Sequence, residues 1–118
     1  MRIATCPLCR AQVDISAFAP GSSLGYRVEI AGRRLVYTGD TGWFPALPRV
    51  TRGAHLLLCE CTHRKGASTE HLCLTDLQAN RRRLGAGRIL LTHLGPDLVK
   101  LRSLPGFRLA RDGMKVRV

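Results

Sequence analysis

The chain has 118 residues, the length of a single domain. With 45% hydrophobic and 23% charged residues, its composition is typical of a globular protein and excludes a disordered chain. The 19 lysine and arginine residues outnumber the 8 acidic ones, and the net charge of +11 favours anionic partners such as nucleic acid or nucleotides. No apolar run is long enough for a membrane helix, and Met1–Pro7 does not begin a signal peptide, so we expect a cytoplasmic protein without a membrane partner.

The first part of the chain is predicted to form β-structure. Residues Gln12–Phe18 alternate apolar and polar side chains, which is typical of a strand. Residues Leu24–Ile30 and Leu35–Thr38 flank a short glycine-containing turn at 31–34 and predict a hairpin. Asp40 then follows, with Gly39 before it and Gly42 after it, so we expect its carboxylate in a tight loop.

The second part predicts alternating helices and strands. Helices are expected over Ala46–Arg52, over Thr75–Leu84 with Leu74, Leu77 and Leu84 on its apolar face, and over Asp97–Leu104 after Pro96. Buried strands are expected over His55–Glu60 and Arg88–Thr92, followed by a terminal hairpin of Phe107–Ala110 and Met114–Val118 around Asp112 and Gly113. The sequence therefore predicts one α+β domain over residues 1–118, with a mixed β-sheet and helices on one face.

Three polar residues, Asp40, Glu60 and His93, stand where predicted strands end. In α/β architectures, ligands bind beyond the carboxyl ends of the strands, and carboxylate and imidazole groups are suitable metal ligands there. Each residue alone has a structural explanation: a turn aspartate, a buried paired glutamate, or a hydrogen-bonded histidine. Their joint occurrence at strand ends favours a metal site.

The order of these segments resembles the metallo-β-lactamase-fold hydrolases. The segment Leu24–Thr41 resembles their hairpin and metal-bridging aspartate loop, and Leu57–Thr62 is similar to their strand ending in Glu-x-Thr. The segment His71–His93 is similar to their helix, strand and last histidine ligand. The resemblance covers Phe18–Val118 and is strongest to the branch of ribonuclease Z and related phosphodiesterases. It implies the C-terminal half of an αβ/βα sandwich.

The resemblance also implies roles for four residues. Asp40 would bridge two zinc or manganese ions, and His93 would bind one of them. His71 would protonate the leaving group, with Glu60 orienting its imidazole. The implied activity is hydrolysis of a phosphodiester or nucleotide-type substrate, RNA among them, by a metal-activated hydroxide.

The sequence departs from this family in its metal ligands. The His-x-His-x-Asp-His cluster is absent, because the four histidines are His55, His63, His71 and His93. Two or three ligands do not complete two metal coordination spheres, so we expect the chain alone to be incomplete. Half of a sandwich would also leave an apolar sheet face uncovered. We therefore expect a homodimer, or pairing with a separate N-terminal half.

The cysteines support an alternative function. Cys6 and Cys9 have the two-residue spacing of a zinc knuckle, and Cys59, Cys61 and His63 add further soft ligands. With the positive charge, they predict a small zinc-binding module that binds nucleic acid. The odd count of five, which includes Cys73, also fits ordinary reduced thiols.

A third interpretation is a truncated interaction domain that has lost its catalytic activity. The positively charged run of residues 81–83 is compatible with phosphate binding and with a solvated helix face.

Overall fold

A computed structural model describes residues 2–5, 12–18, 23–66 and 68–118. The strands within these ranges are β1 (Arg2–Thr5), β2 (Gln12–Phe18), β3 (Gly25–Ile30), β4 (Arg33–Tyr37), β5 (Leu56–Glu60), β6 (Arg88–Thr92) and β7 (Arg108–Leu109). The helices are α1 (Leu47–Thr51), α2 (Leu74–Ala79) and α3 (Pro96–Val99). In this part of the chain, no helix has the length and apolar character needed to cross a membrane.

The strands form one mixed sheet in which spatial order follows chain order. Strands β1 to β4 pair antiparallel, whereas β4 to β7 pair parallel. The register aligns Tyr37 of β4 with Leu58 of β5, and Leu58 with Leu90 of β6. Because parallel strands end at the same edge of a sheet, the segments that follow β4, β5 and β6 are brought together.

The main hydrophobic core lies between the helices and one face of the sheet. Side chains two residues apart on a strand share a face, and Leu57 and Cys59 of β5 are both fully buried in this core. The helices contribute Leu47, Leu77 and Leu98, which are also buried there. This burial confirms the predicted α+β class, with helices on one face of a mixed sheet.

The other face of the sheet is apolar and only partly covered. Tyr26 and Ile30 of β3 are exposed on it, and Val28, between them on the same face, is half-buried. The carboxyl-terminal Val118 reaches this face and lines a groove of about 250 Å³ with Val28, Ile30 and Leu35. In the described ranges, the large core built with the helices lies on the opposite side of the sheet.

The predicted bounds of two strands match β2 and β6, whereas all three helices are shorter than predicted, α2 and α3 by several residues. Helix α2 ends at Ala79, where the C-cap residue Asn80 leaves the helical conformation and its side chain donates to the Asp76 carbonyl. Leu84 is nevertheless buried, as predicted. Helix α3 ends at Val99, well before Leu104, and the following residues are irregular up to a turn at 105–106 that Leu104 and Phe107 bridge.

The predicted terminal hairpin is wrong. Strand β7 pairs parallel with β6, and Ala110 N–H donates to the Leu91 carbonyl. Residues 114–118 are not a strand. The Arg117 carbonyl instead accepts a hydrogen bond from the Arg88 side chain of β6, and Val118 lies in the groove beside Val28 and Leu35. The predicted turn at 31–34 is a two-residue turn at Ala31 and Gly32. Strand β1 was not predicted.

Candidate functional site

Asp40 and His93 lie side by side beyond the ends of β4 and β6. The His93 Nδ1 atom is 3.0 Å from Asp40 Oδ1, and both side chains are nearly half exposed, at 48% and 43%. His93 has a positive φ of 53°, which non-glycine residues rarely adopt. Such backbone strain is concentrated at functional sites, so the conformation of His93 is consistent with a role beyond packing.

Glu60, the last residue of β5, is a buried carboxylate surrounded by donors. Its Oε1 atom accepts hydrogen bonds from the N–H groups of Thr41 (3.0 Å) and Leu72 (3.2 Å). Its Oε2 atom accepts from the N–H group of Thr62 at 3.1 Å, and the Thr62 hydroxyl lies 2.9 Å away. Only 1% of the Glu60 side chain is exposed, so these donors replace its hydration.

His71 connects Glu60 to the Asp40–His93 pair. Its Nδ1 atom is 3.0 Å from Glu60 Oε1, and the ring centroids of His71 and His93 are 5.3 Å apart. When Nδ1 donates to the carboxylate, Nε2 is the nitrogen available to exchange a proton with a ligand. The four residues predicted from the sequence therefore lie in one cluster.

Thr62 is a member of this cluster that was not predicted. Its hydroxyl oxygen lies 3.3 Å from His71 Nδ1 and 3.1 Å from the His93 carbonyl oxygen, in addition to its contact with Glu60. The only signal in the sequence is its place in the Glu-x-Thr segment. His63 also lies near, with its ring centroid 5.9 Å from that of His71.

The donor atoms of Asp40 and His93 fit zinc or manganese in type, because both metals accept carboxylate oxygen and imidazole nitrogen. They do not suffice in number. Among the residues that the structure describes, no three His, Cys, Asp or Glu side chains are grouped closely enough to hold a metal ion. A complete site would need ligands from outside these residues.

The described cysteines behave as core thiols. Burial raises the pKa of the Cys59 thiol far above its usual range and that of Cys61 to about 12. Among the described residues, Cys59, Cys61 and His63 do not form a group close enough to hold a metal ion. Cys6 and Cys9 lie outside the described residues. The structure therefore provides no support for a zinc site at Cys59, Cys61 and His63.

Close backbone packing at two glycines positions the loops of the site. A Cβ atom on Gly95, just after His93, would clash with the Thr62 carbonyl oxygen. A Cβ atom on Gly42, just after Asp40 and Thr41, would clash with the Ser68 carbonyl oxygen. Glycine at both positions allows the loops after β4 and β6 to pack against the segments around Glu60 and His71.

Comparison with known proteins identifies the family. The family profile described as "Beta-lactamase superfamily domain" matches residues 6–94. Ribonuclease Z from Myxococcus xanthus is 38% identical over 68 residues, which are 53% of this chain and 22% of that protein.

Solved structures give the same result. The metallo-beta-lactamase fold protein YhfI from Bacillus subtilis matches with 26% identity and a TM-score of 0.59, over 80% of this chain and 40% of that one. The structure of a diphosphatase of the PhnP family matches over 100% of this chain and 47% of that one, with 23% identity and a TM-score of 0.66. This match shows a similar fold.

The chain spans less than a third of the length of the curated relatives it matches, and less than half of these two solved structures. The matched residues nevertheless include most of the described sheet and all four site residues, Asp40, Glu60, His71 and His93. The resemblance inferred from the sequence is thus confirmed, and the chain belongs to the beta-lactamase superfamily, with the metallo-β-lactamase fold.

Proposed function

We propose that this chain contributes to a metal-dependent hydrolase of phosphodiester or nucleotide-type substrates. The observation that carries the proposal is the proximity of two pairs, Asp40 with His93 and His71 with Glu60. The first pair has the donor atoms of metal ligands, and the second has the arrangement of a carboxylate-oriented acid.

In this proposal, Asp40 and His93 hold zinc or manganese. The metal, when bound, supplies a Lewis acid that generates hydroxide from water near neutral pH. The remaining ligands come from residues outside those described here, or from another chain. The Asp40 side chain is 43% exposed and is therefore accessible to a metal ion, and His93 Nδ1 lies 3.0 Å from its Oδ1 atom.

His71 is the proposed proton donor to the leaving group. Glu60 orients its imidazole through Nδ1 and stabilises the protonated ring, which leaves Nε2 to deliver the proton. Because Glu60 is itself fixed by three backbone N–H groups, it cannot turn away from His71 without losing those bonds. This rigidity suits a positioning role.

The substrate class is inferred from charge and relatives. The net charge of +11 favours a polyanion, and a ribonuclease and a diphosphatase are among the relatives. We therefore propose a phosphodiester substrate, with RNA as the leading case.

The open sheet face supports an assembled enzyme. Exposed Tyr26 and Ile30 favour a partner surface, and the two solved structures are about twice the length of this chain. We propose a homodimer or pairing with a separate N-terminal half, which would also supply the missing ligands.

Metal retention and turnover of bis(p-nitrophenyl) phosphate, measured on the same preparations, test the two roles. Asp40→Ala should lose both, whereas His71→Ala should retain metal and lower kcat by about 10²-fold or more, the usual contribution of a general acid. Equal metal loss in both variants would contradict the division of roles. Metal retention without turnover in the unsubstituted chain would favour the non-catalytic interaction domain.

A further inference from the structure

A cleft of about 240 Å³ adjoins His93, the proposed metal ligand. Its lining residues stand at or beyond the ends of β6 and β7 or on α3, and His93, Val99, Arg111 and Asp112 are among them. We propose that this cleft binds the nucleotide next to the scissile phosphodiester, with Arg111 contacting the phosphate of that nucleotide. The inference rests on the proposed function and specifies the substrate as a polymer of ribonucleotides.

The cleft is open to solvent at the edge of the sheet. The His93 side chain is 48% exposed, Val99 is 54% exposed, and Arg111 is exposed as well. The groove on the open sheet face instead lies beside the β3–β4 turn, at the opposite end of β4 from the site. The two openings share no lining residue, so a partner on the sheet face need not cover the cleft.

The register of the strands places Arg111 beside His93. Leu91 of β6 pairs with Leu109 of β7, and both side chains are buried in the core. The Ala110 N–H donates to the Leu91 carbonyl at 2.8 Å, so the pairing continues past the end of β7. His93 and Arg111 each follow the paired leucine of their own strand by two residues. They therefore lie next to each other beyond the two strands, where both line the cleft.

Hydrogen bonds hold Arg111 in place before any ligand binds. Its Nη2 atom donates to the Leu101 carbonyl at 2.6 Å, and its Nη1 atom donates to the Ala110 carbonyl at 3.1 Å. A guanidinium has five N–H donors, so donors remain for a phosphate, and little side-chain entropy is left to lose on binding. None of the ion pairs within the described ranges includes Arg111, so its charge is available to an anionic ligand.

Val99 and Asp112 distinguish a nucleotide from a simple anion. Val99, the last residue of α3, provides exposed apolar surface for a base or a sugar. The carboxylate of Asp112 repels a free polyanion but accepts hydrogen bonds from ribose hydroxyl groups. An arginine, a carboxylate and an apolar residue in one cleft therefore fit a ribonucleotide better than inorganic phosphate.

A titration with adenosine monophosphate in EDTA, followed by NMR at the His93 ring and the Val99 methyl groups, tests the proposal. We expect saturable shifts at both residues in the unsubstituted chain. Arg111→Gln should raise the dissociation constant about fivefold or more, because a charge-assisted hydrogen bond is lost. The matched control Arg102→Gln removes the same charge from an exposed residue outside the cleft and should raise it less than about twofold. Circular dichroism verifies the fold of each variant.

A change in the ligand tests the same cleft without any substitution. Deoxyadenosine monophosphate lacks a hydroxyl group that Asp112 would accept from, so the unsubstituted chain should bind it at least about threefold more weakly. Equal affinity for the two nucleotides would contradict the assignment of Asp112 and the choice of a ribonucleotide.

Three further results would overturn the proposal. Unchanged His93 and Val99 signals would show that the cleft binds no nucleotide. An equal loss of affinity in Arg102→Gln and Arg111→Gln would show that only net charge matters. Binding of inorganic phosphate as tightly as the nucleotide would show a simple anion site. Because the titration uses neither metal nor turnover, failure of the proposed hydrolysis would leave its result unaffected.

Discussion

Glu60 accepts hydrogen bonds from the backbone N–H groups of Thr41, Thr62 and Leu72, so one buried carboxylate connects three segments of the site. A buried carboxylate without hydrogen-bond donors destabilises the fold, and buried N–H groups without an acceptor do the same. Stability and site geometry are therefore coupled at this residue.

Substitution of Glu60 should be costly. Glu60→Ala leaves several buried donors without an acceptor and should lower the free energy of unfolding by about 3 kcal/mol or more, whereas Glu60→Gln keeps one acceptor oxygen and should cost less. Urea denaturation measures both. The exposed Glu70→Ala should change stability by less than about 0.5 kcal/mol, and an equally small change in Glu60→Ala would contradict this account.

The β3–β4 turn contains a residue that is poorly suited to its conformation. Ala31 has a φ of 50° and Gly32 a φ of 78°, and two positive φ values define the turn that favours Asn-Gly. Ala31→Asn should therefore stabilise the protein by about 0.5–1 kcal/mol, and Gly32→Ala should destabilise it by about 1 kcal/mol. Thermal unfolding of the two variants measures these changes in stability. A destabilised Ala31→Asn together with a stabilised Gly32→Ala would refute the prediction.

At the scale of elements, the strands were easier to predict than the helix ends. The alternation in Gln12–Phe18 and the apolar run in Arg88–Thr92 gave the observed bounds because local pattern and burial agree there. Helices α2 and α3 end earlier than their apolar periodicity predicts, and at the end of α2 the Asn80 side chain donates to the Asp76 carbonyl, a contact that periodicity does not encode. The partner of β7 depends on long-range pairing with β6.

Strand β5 should make stability sensitive to alkaline pH. Burial raises the pKa of Cys59 in the folded protein, so above about pH 9 the unfolded chain loses a proton that the folded protein keeps. The contribution of the Cys59 thiol to the free energy of unfolding is fully present below that pH. It decreases at higher pH, by at most about 1.4 kcal/mol per pH unit.

Unfolding free energies between pH 8 and about pH 10.5 test this prediction. The unfolding free energy of Cys59→Ala should decrease less steeply with pH than that of the unsubstituted chain, whatever the stability of the variant at pH 8. Identical slopes would show that the Cys59 thiol ionises equally in both states.

At the scale of the whole molecule, the partly covered sheet face should drive association. Ile30→Lys places a charge on this face and should weaken self-association, or capture of the other half, by about tenfold or more. Val99→Lys is the matched control, because Val99 is also exposed but belongs to α3. Sedimentation measures both, and a monomeric unsubstituted chain that captures no partner would contradict the proposal.

The candidate site was predictable to the extent that its residues follow strands. Asp40, Glu60 and His93 stand after apolar runs whose parallel pairing brings them together. Thr62 was missed because its contacts with His71 and His93 exist only after the loops fold. The missing metal ligands have no counterpart in the described residues.

A zinc titration followed at the His93 imidazole by NMR tests whether Asp40 and His93 bind one metal ion together. We predict that zinc shifts the His93 ring signals in the unsubstituted chain and in Asp97→Asn, an exposed carboxylate elsewhere, and that Asp40→Asn abolishes this shift. A response that is absent in the unsubstituted chain, or equally strong in Asp40→Asn, would show that Asp40 and His93 are not joint metal ligands.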